Sequence, residues 1–414
     1  MTNNDENNIV LPLLPFETTP IMFDAQTGIS SVTWYTLGGY ENLATIQDKL
    51  KKRTKQVLEQ NPWLAGRLEN IDGKGICIVY PKTIDNVDDQ VQRIFTINSN
   101  IQLSKTMSYN ELSATVDPLL AKSGGAILKS NGNEPFWKVS LVVNSDDLCL
   151  ITSLSHAIGD GHTYYTLHAM LSNDQPIFKL NPKRNPEITS QIETALGHSS
   201  ALDIRFGSLC RLLRGALASK IRGPPTIKVF EVPSEWIAKE KNSKKDWVST
   251  NDVVVSNFLN TLDADQAIMS VNFRDKLAEL SDTDAGNYFQ MMFVRPHDRE
   301  TPNRLREAVN DIQKGCRKPK VPPLTSWEHL VSRKNLGMVS NWCSLGKPLV
   351  LENCSQTLHV PIVATDCLAM PWVLYGGLYM FQSSDNKIAC MFGGSPSVWN
   401  ELKATGMVGD ELLG

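Results

Sequence analysis

Between Leu148 and Tyr165 the chain reads LCLITSLSHAIGDGHTYY. Residues 148 to 155 form an apolar, β-branched run suited to a buried strand, and Trp137 to Asn144 supplies a hairpin partner across Ser145-Asp146-Asp147. His156 follows where the strand gives out, and Tyr164, Tyr165, Leu167 and Met170 then recur at helical spacing. A strand, an exposed elbow and a helix are implied, and the end of such a strand is where α/β scaffolds present chemistry. Gly159 and Gly161 keep one helix from running through both His156 and Asp160, so the two share a neighbourhood without having to touch. On physics alone the elbow is also compatible with a plain tight turn and an ordinary hydrogen-bonded histidine.

At 414 residues the chain exceeds what one core serves, and two domains of about 200 residues each are expected. Apolar residues at 41% and charged residues at 21% describe a soluble globular protein, and a net charge of -3 gives no pull toward nucleic acid. No CxxC pair occurs, which removes a zinc-finger reading. The cysteines at 77, 149, 210, 316, 343, 354, 367 and 390 are scattered and fit thiols of a reducing compartment. The start, MTNNDENN, is unlike a secretory signal, and no run of 18 apolar residues follows, so a cytoplasmic protein without membrane insertion is expected.

Strands are expected at Ser31 to Leu37 and Gly75 to Tyr80, with a helix at Glu41 to Gln60 stopped by Asn61-Pro62. Residues 82 to 133 carry no clear pattern. Ser172 to Ser200, rich in Asn, Pro and Ser, reads as a crossover, and Leu202 to Arg222 as an amphipathic helix. Thr226 to Val232 opens the second half, and Ser249 or Thr250 caps a helix at Val253 to Leu262, with Asp252 as in a capping box. Ala267 to Arg274 suits a strand, and Thr301-Pro302 starts another helix. Further strands are expected at Gly337 to Trp342, Thr357 to Ala364, Trp372 to Phe381 and Lys387 to Phe392, with a peripheral C-terminal tail. The domains expected are 1–180 and 225–414, joined by 181–224. Strand pairs alternating with capped helices favour two α/β domains and a cleft between them.

HAIGDG resembles the HxxxDG motif of the superfamily that includes chloramphenicol acetyltransferase, condensation domains and the BAHD acyltransferases. In that family the motif ends a strand roughly 150 residues into the chain, as here. Asn61-Pro62-Trp63-Leu64-Ala65-Gly66-Arg67-Leu68 resembles the PLAGRL segment of the BAHD branch; Val271-Asn272-Phe273-Arg274 with Gly286-Asn287 resembles its strand arginine and GN pair; Ser340-Asn341-Trp342-Cys343 is similar to its TSW-type strand. The DFGWG of that branch is absent, Leu345-Gly346-Lys347-Pro348 matching only its tail.

The resemblance implies an α/β fold of two chloramphenicol-acetyltransferase-like domains with mixed sheets and a central tunnel or cleft. It implies acyl transfer from acyl-CoA, a co-substrate and not a resident cofactor, to a hydroxyl or amine of a small molecule. His156 is then the general base, with one ring nitrogen bare toward the acceptor. Asp160 turns away from it to pair with Arg274 and shape the loop, and Gly161 permits the turn into the helix. Ser340 and Asn341 stand as oxyanion donors or as ordinary polar residues at a strand end; Trp342 lines the channel or packs in the core; His162 contacts the acceptor or lies exposed. For the donor's phosphates, Lys244 and Lys245 beside the helix start at Ser249 and Thr250 are one candidate, and Lys314, Arg317, Lys318 and Lys320 another; either can equally be solvated surface. His168, His297, His329 and His359 have no ligand-like grouping, so no metal is expected. Two alternatives stay open: a condensation-like enzyme whose thioester sits on a carrier protein, weakened by Ser155 where many condensation domains have a second histidine, and a non-catalytic binding protein of the same fold. The missing GxSxG elbow disfavours a serine hydrolase.

Overall fold

A computed structural model describes residues 7–37, 43–144, 147–197, 225–315, 317–318, 322–365 and 376–414. In the first half the strands are β1 (Asn8–Pro12), β2 (Gly28–Leu37), β3 (Arg67–Ile71), β4 (Gly75–Pro81), β5 (Phe95–Asn98), β6 (Trp137–Val143) and β7 (Asp147–Ser155). In the second they are β8 (Thr226–Glu231), β9 (Ala264–Asn272), β10 (Phe289–Val294), β11 (Asn335–Asn341), β12 (Cys354–Ile362), β13 (Gly377–Ser384) and β14 (Lys387–Gly394).

β7 is covered on both faces, which is why its sequence is nearly continuous in apolar residues instead of alternating. It lies at the centre of a mixed five-stranded sheet ordered β12-β2-β7-β6-β5. The helix Leu43–Gln60 and the helix Gly161–Ala169 supply side chains to the core on this side, where Leu50, Val57, Trp137, Leu150 and Tyr164 are buried together. A second mixed sheet, β10-β9-β11-β13-β14-β8, carries the other core, in which Val254 and Phe258 from the helix Thr250–Thr261 pack with Val339, Leu378 and Phe392. Val32, Trp34 and Ile151 of the first sheet share a further cluster with Phe381, Ala389 and Met391 of the second. That shared apolar layer packs the two sheets against each other.

Several expectations are revised. β12 belongs by sequence to the second half yet pairs antiparallel with β2, Val360 opposite Val32, so one strand crosses the boundary at residue 225. The stretch 82–133 contains the helices Val87–Ile94, Tyr109–Val116 and Gly124–Lys129, each begun by an Asn or Ser side-chain cap that satisfies a free N–H. Ser172 to Ser200 includes the helix Ile188–Leu196, ended by Gly197 in the left-handed region. The C-terminal tail is not peripheral: Met407 and Leu413 are buried, and Gly414 N–H donates to the carbonyls of Lys105 and Met107. The segment 202–222, together with Asp366 to Trp372, lies outside the described residues.

Candidate active site

The ladder between β2 and β7 runs one step beyond its last pair, because His156 N–H donates to the Thr27 carbonyl at 3.0 Å. The imidazole thereby lines a cavity of about 140 Å³. Its walls come from both sheets: the entry of β2, Asn272 and Ser270 of β9, Phe289 and Met291 of β10, the end of β11, and Tyr379 of β13. His156 Nδ1 lies 3.1 Å from the amide oxygen of Asn287, and no described residue bonds Nε2. Burial holds the imidazole below its usual pKa, against the opposing pull of its own carbonyl, Asp160, Asn287 and Glu17, so the ring is neutral near pH 7.

Asp160 points the other way. Its Oδ1 accepts from Thr163 N–H at 3.0 Å, capping the helix Gly161–Ala169, while Oδ2 accepts from Arg274 Nη1 at 2.7 Å and Tyr288 N–H at 3.0 Å. Arg274 is buried and fully used: Nε donates to the Asp284 carbonyl at 2.7 Å and Nη2 to the Gly286 carbonyl at 2.9 Å. Burial raises the Asp160 pKa, but the charge and hydrogen bond of Arg274 outweigh it and hold the carboxyl below its ordinary value.

Of the two elbow glycines, Gly159 is the more tightly enclosed. A Cβ at 161 would meet only Leu345 and Trp342, at 3.4 Å and beyond, whereas one at Gly159 would press within 2.9 Å of the Thr163 side chain. Gly286 is also constrained: its φ is +139° and a Cβ there would sit 3.0 Å from Arg184 Cζ.

Along β11, Ser340 and Trp342 share one face, and Ser340 Oγ accepts from Trp342 Nε1 at 2.8 Å. That leaves the hydroxyl proton of Ser340 available at the cavity wall. Asn341 also lines the cavity, but its amide is engaged: Nδ2 donates to Asn251 at 2.9 Å and Oδ1 accepts from Cys343 N–H at 2.9 Å. Trp342 both lines the cavity and packs edge-on against Tyr165 and Tyr379. His162 also lines the cavity, with Nε2 2.9 Å from the Asp282 carbonyl. Ser153 and Ser155 are spent on structure: Ser153 Oγ accepts from Ala121 N–H and pairs with Ser30, and Ser155 donates to the Lys122 carbonyl.

The two basic groups fare differently. Lys244 pairs with Glu240 at 3.5 Å, and neither it nor Lys245 is among the cavity-lining residues. At the helix start, Ser249 and Asp252 cap each other and Arg306 reaches Asp252 at 2.7 Å, so the first N–H groups are partly taken; Thr250 is the first helical residue. Arg317 is buried against Asp298 at 3.0 Å, which removes it from any exposed anion site; Lys314 is exposed beside Asp311, and Lys320 lies outside the described residues. Among the described residues no group of His, Cys, Asp and Glu is arranged to hold a metal, and no helix is long and apolar enough to cross a membrane.

Two residues with no sequence signal complete the site. Glu17 and Arg184 form a buried ion pair at 3.0 Å, and Arg184 Nη2 donates to the Ile158 carbonyl inside the elbow at 2.8 Å. No periodicity or motif marks either residue; only the proximity of Glu17 to three prolines hints at an ordered entry segment.

No family model matches the chain, and no curated protein matches it in sequence. Its structure is nevertheless similar to that of TRI101 from F. sporotrichioides, solved with coenzyme A and T-2: 14% identity, TM-score 0.62, covering 97% of this chain and 99% of that one. The trichothecene 15-O-acetyltransferase TRI3 from Fusarium sporotrichioides is 12% identical, with TM-score 0.61 and coverage of 98% and 96%. Vinorine synthase is 14% identical, with TM-score 0.56 and 98% of each chain covered. The chain therefore shares the fold of these proteins, an α/β architecture with mixed sheets.

Proposed function

We propose that this protein transfers an acyl group from an acyl-CoA thioester to a hydroxyl or amine of a small-molecule acceptor. The observation that carries the proposal is a neutral imidazole, His156, at the wall of a cavity lined from both sheets, with one nitrogen engaged and the other unbonded. Likeness to TRI101 proteins solved with coenzyme A, one of them with T-2 and another with deoxynivalenol, supports the thioester donor and the small-molecule acceptor.

In the proposed reaction the acceptor's oxygen or nitrogen attacks the thioester carbonyl as His156 Nε2 takes its proton. Ser340, whose hydroxyl proton is free, donates to the oxyanion of the tetrahedral intermediate, while the engaged amide of Asn341 makes it the lesser candidate. The C–S bond then breaks, and the imidazolium returns its proton to the departing thiolate. Asp160 and Arg274 hold the elbow and exchange no proton with substrate. Lys244 and Lys245 bind the donor's phosphates, and His162 contacts the acceptor.

The test is to incubate purified protein with a panel of acyl-CoA donors and nucleophiles and follow free thiol and acylated product by mass. Acceptor-dependent thiol release is expected. Turnover only from carrier-bound thioesters would favour the condensation-like alternative, and no turnover from either donor would favour a binding protein.

A further inference from the structure

Glu17 lies in a single turn of 3-10 helix, Pro15–Thr18, and its side chain is wholly buried. Every neighbour of its carboxylate is a donor. Oε1 accepts from Asn287 N–H at 3.1 Å, Asn287 Nδ2 at 3.0 Å and Arg184 Nε at 3.2 Å, with the charged Arg184 Nη2 3.0 Å away; Oε2 accepts from Leu14 N–H at 2.8 Å and Arg184 Nε at 3.0 Å.

This arrangement fixes the Asn287 amide. Its Nδ2 faces two acceptors, Glu17 Oε1 and the His156 carbonyl at 2.9 Å, so the group that faces His156 Nδ1 at 3.1 Å is the amide oxygen. An amide oxygen only accepts; Nδ1 must therefore carry the ring proton, and Nε2 is the bare nitrogen. Without the carboxylate only the His156 carbonyl still holds the amide in this orientation, and an amide turned over would present NH₂ to Nδ1, which would then accept and leave the proton on Nε2.

We infer that Glu17 is a positioning residue for His156: acting through the Asn287 amide, it decides which imidazole nitrogen holds the proton and keeps Nε2 free to act as base. The inference takes the role of His156 from the proposed function, but the tautomer can be read without any turnover. The experiment is nitrogen-15 NMR of histidine-labelled protein near neutral pH, the His156 signals being assigned by their loss in His156→Ala. In the parent protein Nδ1 is expected to be the protonated nitrogen. Glu17→Gln is expected to move the proton wholly or partly to Nε2 and to lower kcat by about 10- to 100-fold, part of what a positioned base contributes, with KM for either substrate within about twofold. Because Glu17→Gln leaves Arg184 without its counter-charge, Glu17→Asp is measured beside it. That variant keeps a carboxylate opposite Arg184 but one carbon short of Asn287, and a mixture of tautomers is expected.

An unaltered Nδ1-protonated ring in whichever variant folds would overturn the inference, as would an Nε2-protonated ring in the parent. If the tautomer shifts as described but the parent transfers no acyl group, the positioning stands and the acyltransferase reading fails. If transfer occurs and the tautomer does not move, the reverse holds.

Discussion

Arg274 Nη1 lies 2.7 Å from Asp160 Oδ2, although 114 residues separate them in the chain. The elbow after β7 is thus gripped by the segment that follows β9, and the two halves meet in one buried ion pair. With Thr163, Tyr288 and Arg274 all donating to it, the Asp160 carboxylate has nothing left to offer His156. It works as a clamp on the loop and not as the third member of a triad.

Breaking that clamp is expected to destabilise the fold as well as slow any reaction. Arg274→Ala leaves a carboxylate buried without its counter-charge, a loss of about 3–5 kcal/mol, measurable by denaturant unfolding. The folded-state pKa of Asp160 is lowered, so the pair's contribution is full above the usual carboxylate range and disappears as pH falls through the folded value. Arg274→Ala should therefore converge on the parent's stability in strong acid. A stability difference that stays constant down to that range would contradict the clamp.

The parts of the site readable from sequence are those that recur locally: HAIGDG at a strand end, the arginine after β9, the GN pair, and the capping box at Ser249. Glu17 and Arg184 were not readable because their link spans 167 residues and neither sits in a periodic or capped segment. The crossing of β12 into the first sheet was hidden for a similar reason. Its apolar run announces a strand, but pairing register depends on which edge the rest of the fold leaves open. Which polar groups of Asn341 are engaged was also not readable, because a strand residue's direction follows from register; its amide donates to Asn251.

His156→Ala is expected to lower acyl transfer by about 10²- to 10⁴-fold, the usual contribution of a positioned base, while unfolding stays close to the parent's. Since burial lowers the pKa of His156, kcat/KM in the parent should rise with pH through a value below the ordinary histidine range and be flat by neutrality. Transfer at the parent rate by the variant, with chemistry rate-limiting, would remove His156 from the mechanism.

Two further histidines, His168 of the helix Gly161–Ala169 and His359 of β12, are buried neutral. His168 Nδ1 bonds Thr152 Oγ1 at 2.9 Å, His359 bonds Thr33 at 2.8 Å and Tyr165 at 3.1 Å, and the two rings lie 5.5 Å apart. Burial lowers both pKa values, that of His168 to about 4. Between that value and the unfolded-state value the unfolded chain binds the extra proton, so stability is complete above the usual histidine pKa and falls as pH drops below it. His168 alone accounts for about 3 kcal/mol over that window. His168→Gln, which cannot take up a proton, should show a shallower acid loss; an identical slope would place the acid sensitivity elsewhere.

The donor's phosphates provide the last test. At the helix start the N–H groups of Ser249 and Asp252 are taken by the reciprocal cap, and Arg306 pairs with the Asp252 carboxylate, so phosphate affinity there has to come from side-chain charge more than from free N–H groups. Reversing both charges with Lys244→Glu/Lys245→Glu is expected to raise the dissociation constant for CoA by about tenfold at low salt, with the difference shrinking as salt screens these surface charges. Acceptor affinity should change little. Ser249→Ala is the control: loss of the cap destabilises the helix by about 1 kcal/mol without a comparable change in CoA affinity. Unchanged CoA binding after the double reversal would move the phosphate site away from this segment, whereas a salt-independent loss would mean that the lysines act through the fold and not through charge.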